Sequence, residues 1–264
     1  MPTISDVVEI LQRFAPVALA EDWDNVGLLV GDYSWRADRV MTCLTVTPDT
    51  LAEAVDKGAN LIVTHHPLPF RPIQSVTSDT TAGRMLLELV SARIGVYSPH
   101  TAFDSAQAGI NQHLAIGLDL QQIEPLIPAE ASEDQEVGTG RIGVVPEELN
   151  LAEMAERVKT FLDIGALRIV GDEKQAITRV AIACGSGGSF LADVAQRQCD
   201  CLITGEATFH ICLDAQAQGI ALVLPGHFAS EHFALHSLAD YLGEQFSDVQ
   251  VWASREERDP LQPF

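Results

Sequence analysis

The sequence predicts an α/β protein made of two duplicated lobes. Three observations lead there: a long ungapped internal match, a helix-and-strand periodicity that recurs in each half, and a histidine–carboxylate segment that ends both halves. The match sets "RVMTCLTVTPDTLAEAVDKGANLIVT" (39–64) against "RVAIACGSGGSFLADVAQRQCDCLIT" (179–204) at a constant offset of 140. Arg39/Arg179, Val40/Val180, Leu51/Leu191, Ala52/Ala192 and Thr64/Thr204 coincide, and Glu53 faces Asp193. Upstream, "LLVGD" (28–32) meets "RIVGD" (168–172) at the same offset. Two unrelated βαβ units can look alike, but the absence of gaps and the shared "VGD" favour duplication.

Each copy reads helix, strand, strand, helix, strand. The opening helix is amphipathic, with Val7, Val8 and Leu11 on one face in the first copy. Leu151, Met154, Ala155 and Val158 do the same in the second. The strands are rich in Val, Ile and Thr, and "LIVT" (61–64) is apolar enough for a strand buried on both faces. After it, "IGVYSPHTAFD" (94–104) pairs with "IALVLPGHFASE" (220–231), so that His100 matches His227 and Asp104 matches Glu231 at offset 127. Between the halves, "EPLIPAEASEDQEVGTG" (124–140) is acidic and carries Pro and Gly, as a connection does. The first repeat is therefore placed at 1–123 and the second at 141–264, with "RIGVV" after the connection as a short strand.

A chain of 264 residues, 47% hydrophobic, has ample material for a core. No stretch of eighteen uncharged apolar residues occurs, so no membrane span is expected. "MPTISDVVEILQRF" lacks the basic-then-apolar order of a signal peptide. Cys43, Cys184, Cys199, Cys201 and Cys212 are odd in number, lack a C-x-x-C pair, and read as reduced thiols in a cytoplasmic protein. The net charge of −21, with few lysines, repels phosphate backbones and disfavours nucleic-acid binding. It suits solubility and cation capture alike.

Imidazole and carboxylate are good ligands for first-row metals, and three clusters of them follow strand ends. His65 and His66 come directly after "LIVT". In extended chain, neighbouring side chains point to opposite faces, and Pro67 keeps His66 extended. Each imidazole can then serve a different ion, with the backbone between them. As a bare dipeptide the pair describes more readily one packed strand-end histidine and one solvated neighbour. The second cluster is His100 with Asp104 and the third His227 with Glu231, each an i,i+4 pair on one face if a helix opens there. Either pair alone also describes a surface ion pair. Three clusters at the C-terminal ends of predicted strands shift the balance, because ligands collect at that edge of an α/β sheet. The donor set excludes neither Zn, Fe, Mn nor Ni. Two such ions about 3.5–4 Å apart lower the pKa of a shared water, which is the machinery of hydrolysis.

Other segments carry weaker signals. "TGEATFH" offers Glu206 and His210 as outer partners or acid–base groups, though Glu206 equally suits a helix N-terminus. "CGSGGSF" (184–190) is able to hold an anion on its N–H groups but reads better as a tight βα turn. "EDWDNVGLLVG" (21–31) clusters Asp22, Asp24 and Asn25 around Trp23, which Asx-turn chemistry and an aromatic plug explain without function. His113, His232 and His236 read as surface or packing residues.

"EDWDNVGLLVG", "LIVTHHPL", "YSPHTAFD", "GSGG", "ITGE" and "GHFASEH", in that order, resemble the Nif-three-like family, also called GTP cyclohydrolase 1 type 2 homologues. The resemblance runs essentially end to end, to the short bacterial form without an inserted domain. It implies two intertwined α/β lobes with mixed sheets, the C-terminal segment packing with the first lobe, a dinuclear metal site between the lobes, and assembly into a toroidal homohexamer. The family's ligand pattern carries over onto His65, His66, Asp104, His227 and Glu231, with two divalent ions per chain. The family histidine before the aspartate falls on His100, beside the metals. Phe209 stands where members often carry a histidine before His210, which leaves a role for that segment open. The family label implies hydrolytic opening of a guanine ring, and the sequence shows no triphosphate clamp.

The expected function is that of a metal-dependent hydrolase of a nucleotide or related heterocycle, with His100 moving a proton. A metallochaperone or metal store without catalysis is the alternative. A scaffold with structural metals fits least, since structural zinc favours cysteine and a closed shell.

Overall fold

Thr3 starts the first helix, α1 (Ile4–Phe14): its hydroxyl accepts from the Asp6 N–H while the Asp6 carboxylate takes the Thr3 N–H. The computed structural model describes residues 1–129 and 136–262, so part of the predicted connection, 130–135, lies outside the described residues. Contacts divide the chain into two units, Met1–Phe103 with the chain from Ala234 onward, and Asp104–Phe233.

In the first unit α1 is followed by β1 (Gly27–Val30), β2 (Arg39–Cys43), α2 (Pro48–Asp56), β3 (Leu61–Thr64), α3 (Thr81–Ala92) and β4 (Gly95–Ser98). The chain leaves this unit within α4 (His100–Ser105). The second unit opens with α5 (Ile110–Gly117), β5 (Gln121–Glu124), the short pair β6 (Ile127–Pro128) and β7 (Gly138–Thr139), and β8 (Arg141–Asn150). It continues through α6 (Leu151–Leu162), β9 (Arg168–Val170), β10 (Ala176–Ile182), α7 (Leu191–Gln196), β11 (Cys201–Ile203), α8 (Phe209–Gln218) and β12 (Ala221–Leu224). The chain returns within α9 (His227–Gln245) and ends on β13 (Gln250–Ala253).

The first unit's sheet has the order β1-β4-β3-β2-β13, with β1 antiparallel and the others parallel. The second unit's sheet runs β5-β8-β10-β11-β12-β9, where β9 is antiparallel to β12 just as β1 is to β4. The registers agree with the internal match. Val40 lies opposite Leu61 in one sheet and Val180 opposite Cys201 in the other, both shifted by 140. The next strand pairs Leu61 with Gly95 and Cys201 with Ala221. That offset is one less than the histidines show, because the second turn holds an extra residue, Gly226, at φ +102°.

Both mixed sheets are buried where the sequence is most apolar. Every residue of β3 and of β11 is buried, as central parallel strands require. The predicted helix faces are the buried ones: Val7, Val8 and Leu11 in α1, and Leu151, Met154, Ala155 and Val158 in α6. The short strand expected from "RIGVV" continues to Asn150, because β10 pairs along nearly its whole length. The compact units are divisions of contact, whereas 1–123 and 141–264 are the repeats of an intertwined chain. Leu114 and Ala115 of α5, with Leu118 just after it, bury themselves in the second unit's core. The C-terminal segment, expected to pack with the first lobe, adds β13 to the first sheet by pairing with β2. Among the described residues, no helix is long and apolar enough to cross a membrane.

Candidate metal centre

Beyond β3 the backbone stays alongside its neighbour for two more residues: the His65 N–H donates to Cys43 O (3.1 Å) and the His66 N–H to Leu44 O (2.8 Å). Both positions are bends rather than strand. The strict alternation of an extended chain therefore lapses, and the rings do not part as the sequence suggests. Their centroids are 5.1 Å apart, and one ring nitrogen from each of His65, His66 and His100 lies within 4.8 Å of the others. The Ser98 hydroxyl donates to His65 O (2.6 Å), which pins this bend to the end of β4.

Nδ1 of His66 and Nδ1 of His100 each have an oxygen against them. Thr45 Oγ1 is 2.7 Å from His66 Nδ1. Thr45 is held in turn by Glu257, whose carboxylate accepts from the N–H groups of Leu44 and Thr45, both at 2.7 Å. Burial pushes the Glu257 carboxyl up, although those two N–H groups favour its charge. Asp24 Oδ1 lies 2.7 Å from His100 Nδ1, and Asp24 Oδ2 accepts from the N–H and hydroxyl of Thr101. Burial opposes ionisation of Asp24, but the bonds from His100 and Thr101 outweigh it and hold its carboxyl at about 2.

In the second unit, His227 and Glu231 occupy the first turn of α9, with His227 Nε2 3.1 Å from Glu231 Oε2. His227 Nδ1 is 3.1 Å from Glu206 Oε1, and Glu206 also accepts from the Ser186 hydroxyl. Glu231, joined by Glu206, raises the His227 imidazole to about 9 against the opposing effect of burial. The glycine turn serves this pair. A Cβ on Gly185, whose φ is +65°, would stand 2.1 Å from Glu231 Oε1. The Gly185 N–H donates to Ser230 Oγ, which donates to His227 O. "CGSGG" is thus the close-packing turn that the sequence reading preferred over an anion cradle.

Asp104, at the end of α4, is half-buried, and Asn111 ties its carbonyl to the glycine turn through the Cys184 N–H. Burial, reinforced by the carboxylates of Glu231 and Asp104, pushes the Cys184 thiol well up. Among the described residues, the groups able to hold a metal ion offer imidazole nitrogen and carboxylate oxygen. That set fits a hard-to-borderline divalent cation. His66, His100 and His227 each have Nδ1 engaged by an oxygen, the usual outer arrangement around a ligating histidine, while His227 Nε2 faces Glu231.

The whole chain has relatives among known proteins. Residues 2–260 match the family described as Duf34/NIF3 (NGG1p interacting factor 3). The chain belongs to that family. Among Duf34/NIF3 relatives, it is 35% identical over 260 residues to the "GTP cyclohydrolase 1 type 2 homolog" of Clostridium perfringens, covering 98% of each chain. The Clostridium acetobutylicum protein of the same name is 37% identical over 230 residues, 86% of this chain and 85% of that one. Among solved structures, Staphylococcus aureus protein SA1388 is similar with a TM-score of 0.90 and 27% identity, over 99% of each chain.

Several Duf34/NIF3 residues around the site were not singled out from sequence. Thr45, Glu257 and Asn111 carry no motif, and only the fold sets them against His66 or the glycine turn. Asp24 does accept from the next N–H, as an Asx turn would, but its main partner is His100. Trp23 is no plug: it is 66% exposed. Glu206 stands against His227, whereas His210 is exposed at the start of α8 and joins no group of three candidate ligands among the described residues. His232 stacks on Phe228 as a packing residue.

Proposed function

We propose that this Duf34/NIF3 protein holds two divalent cations on His65, His66, Asp104, His227 and Glu231, and hydrolyses a nucleotide or related heterocycle. The observation that carries the reading is the row of engaged Nδ1 atoms: Thr45 at His66, Asp24 at His100 and Glu206 at His227. Side chains merely packed or solvated have no need of three such outer oxygens. One of the two carboxylates would bridge or cap the ions. Zn, Fe, Mn and Ni all accept the donor set. A cation pair supplies a water of lowered pKa near neutral pH. The chain's own contribution is to hold the donors: Gly185 admits Glu231, Thr45 turns His66, and Glu206 turns His227. The hydrolytic part rests on the name borne by the clostridial relatives. The matching repeat registers support two copies of one lobe, and assembly into a toroidal homohexamer belongs to the same reading.

Elemental analysis after chelator-free anaerobic purification should find about two metal equivalents per chain. His65→Ala with Glu231→Ala should abolish tight loading; a trace of metal at most in the unaltered protein overturns the proposal. A metal-dependent screen of nucleotides and heterocycles should give turnover. Silence across it, with ready ion transfer to an apo-acceptor, would replace hydrolysis by metal handling.

A further inference from the structure

His100 sits in an unusual backbone conformation. Its φ of +31° lies in the left-handed region, which a non-glycine residue enters only when its surroundings hold it there. Asp24 supplies the hold from both sides. One carboxylate oxygen meets the ring at Nδ1, and the other takes the N–H and hydroxyl of the next residue, Thr101. Thr101 is anchored further, since its Oγ1 accepts from the Glu21 N–H (3.0 Å). The rings of Trp23 and Phe70 stand nearly perpendicular to that of His100, with centroids 6.1 and 6.0 Å away. The Asp24 side chain is 1% exposed and that of His100 10%. A buried pair separated by 76 residues is a specific arrangement, not a surface ion pair.

We infer that Asp24 is a positioning residue that locks His100 with its proton on Nδ1 and a lone pair on Nε2, beside the His65–His66 pair. The chemistry is forced. An ionised carboxylate only accepts, so the nitrogen facing it must carry the hydrogen. With Nδ1 committed to Asp24, Nε2 is the nitrogen that can accept a proton, in a ring one of whose nitrogens lies within 4.8 Å of ring nitrogens of His65 and His66. On the hydrolytic reading, on which this role rests, Nε2 takes one proton from the attacking water as the new oxygen bond forms. The resulting imidazolium lies against the Asp24 charge, and the same proton passes to the leaving atom as its bond breaks. An unbiased imidazole would spend much of its time with the proton on Nε2, unable to accept.

Two-bond proton–nitrogen correlation spectra of the metal-free full-length chain read the tautomer directly. His100, assigned through His100→Gln, should show a protonated Nδ1 and a bare Nε2 at neutral pH. Asp24→Asn should move the ring toward the Nε2-protonated form, whereas Thr101→Val, which leaves the carboxylate, should not. With any substrate the screen yields, kcat should fall about 10²- to 10⁴-fold at constant KM. A His100 already protonated on Nε2 in the unaltered protein overturns the inference, and so does a tautomer indifferent to Asp24→Asn. If Asp24→Asn does not fold, the unaltered spectrum still decides. If no substrate is ever turned over, the hydrolytic reading fails while the tautomer result stands.

Discussion

Thr45 Oγ1 lies 2.7 Å from His66 Nδ1, and Thr45 is itself fixed by the buried carboxylate of Glu257 from the far end of the chain. The C-terminal segment therefore sets the orientation of a candidate ligand near the middle of the first unit. Thr45→Val keeps the shape and removes the hydroxyl. Metal affinity should fall about 10- to 100-fold, with the thermal midpoint little changed, as titration with zinc or manganese and a melting scan would show. Equal affinity would mean that His66 needs no outer partner.

Gly185 makes room for Glu231. A methyl group there would overlap the carboxylate at 2.1 Å, and a left-handed φ of +65° adds backbone strain. Gly185→Ala should cost about 1 kcal/mol or more of stability and should lower metal loading more than any surface control. Unchanged loading by elemental analysis would show that Glu231 can retreat without leaving the site.

Glu206 is the outer partner of His227, at 3.1 Å from Nδ1. Glu206→Gln lets an amide face that nitrogen, so the ring loses its fixed orientation. Affinity should drop about 10-fold or more, and His210→Ala, at an exposed residue, should have no such effect. Equal losses in both variants would restore His210 to the site.

Glu53 gives a pH signature away from the candidate ligands. Burial works against its charge, but bonds from Lys57, Ser254 and the N–H groups of Arg255 and Glu256 outweigh that and hold its carboxyl below the ordinary 4.5. A carboxyl depressed in the folded state stabilises above the unfolded pKa, and that stability is lost as pH falls through the folded value. Glu53→Gln should cost about 1.5–3 kcal/mol near neutral pH, and the gap to the unaltered protein should close in acid. Urea unfolding at neutral and at acid pH measures both; a gap that widens in acid contradicts the assignment.

Much of the fold was legible because it is local and periodic. The apolar faces of α1 and α6 follow from helical spacing, and the strands from Val, Ile and Thr runs. The offset of 140 even anticipates the registers Val40 with Leu61 and Val180 with Cys201, since one repeated pattern pairs the same way twice. The division into units was less legible. Nothing local tells α5 to pack with the strands that follow it, and although the C-terminal segment was expected on the first lobe, its pairing with β2 is not written in its own residues.

For the candidate site, the sequence by itself determined which residue types follow the strand ends, because strand, turn and histidine are contiguous there. The spacing of His100 to Asp104 and of His227 to Glu231 follows from the same local order. Only the tertiary structure decided how the rings stand. The bend at His65 and His66 turns their nitrogens toward each other, against the alternation of a straight strand. Asp24, Thr45 and Glu206 reach their histidines across 76, 21 and 21 residues. Hydrogen bonds at such separations arise from how sheets and loops pack, and no periodicity along the chain encodes them.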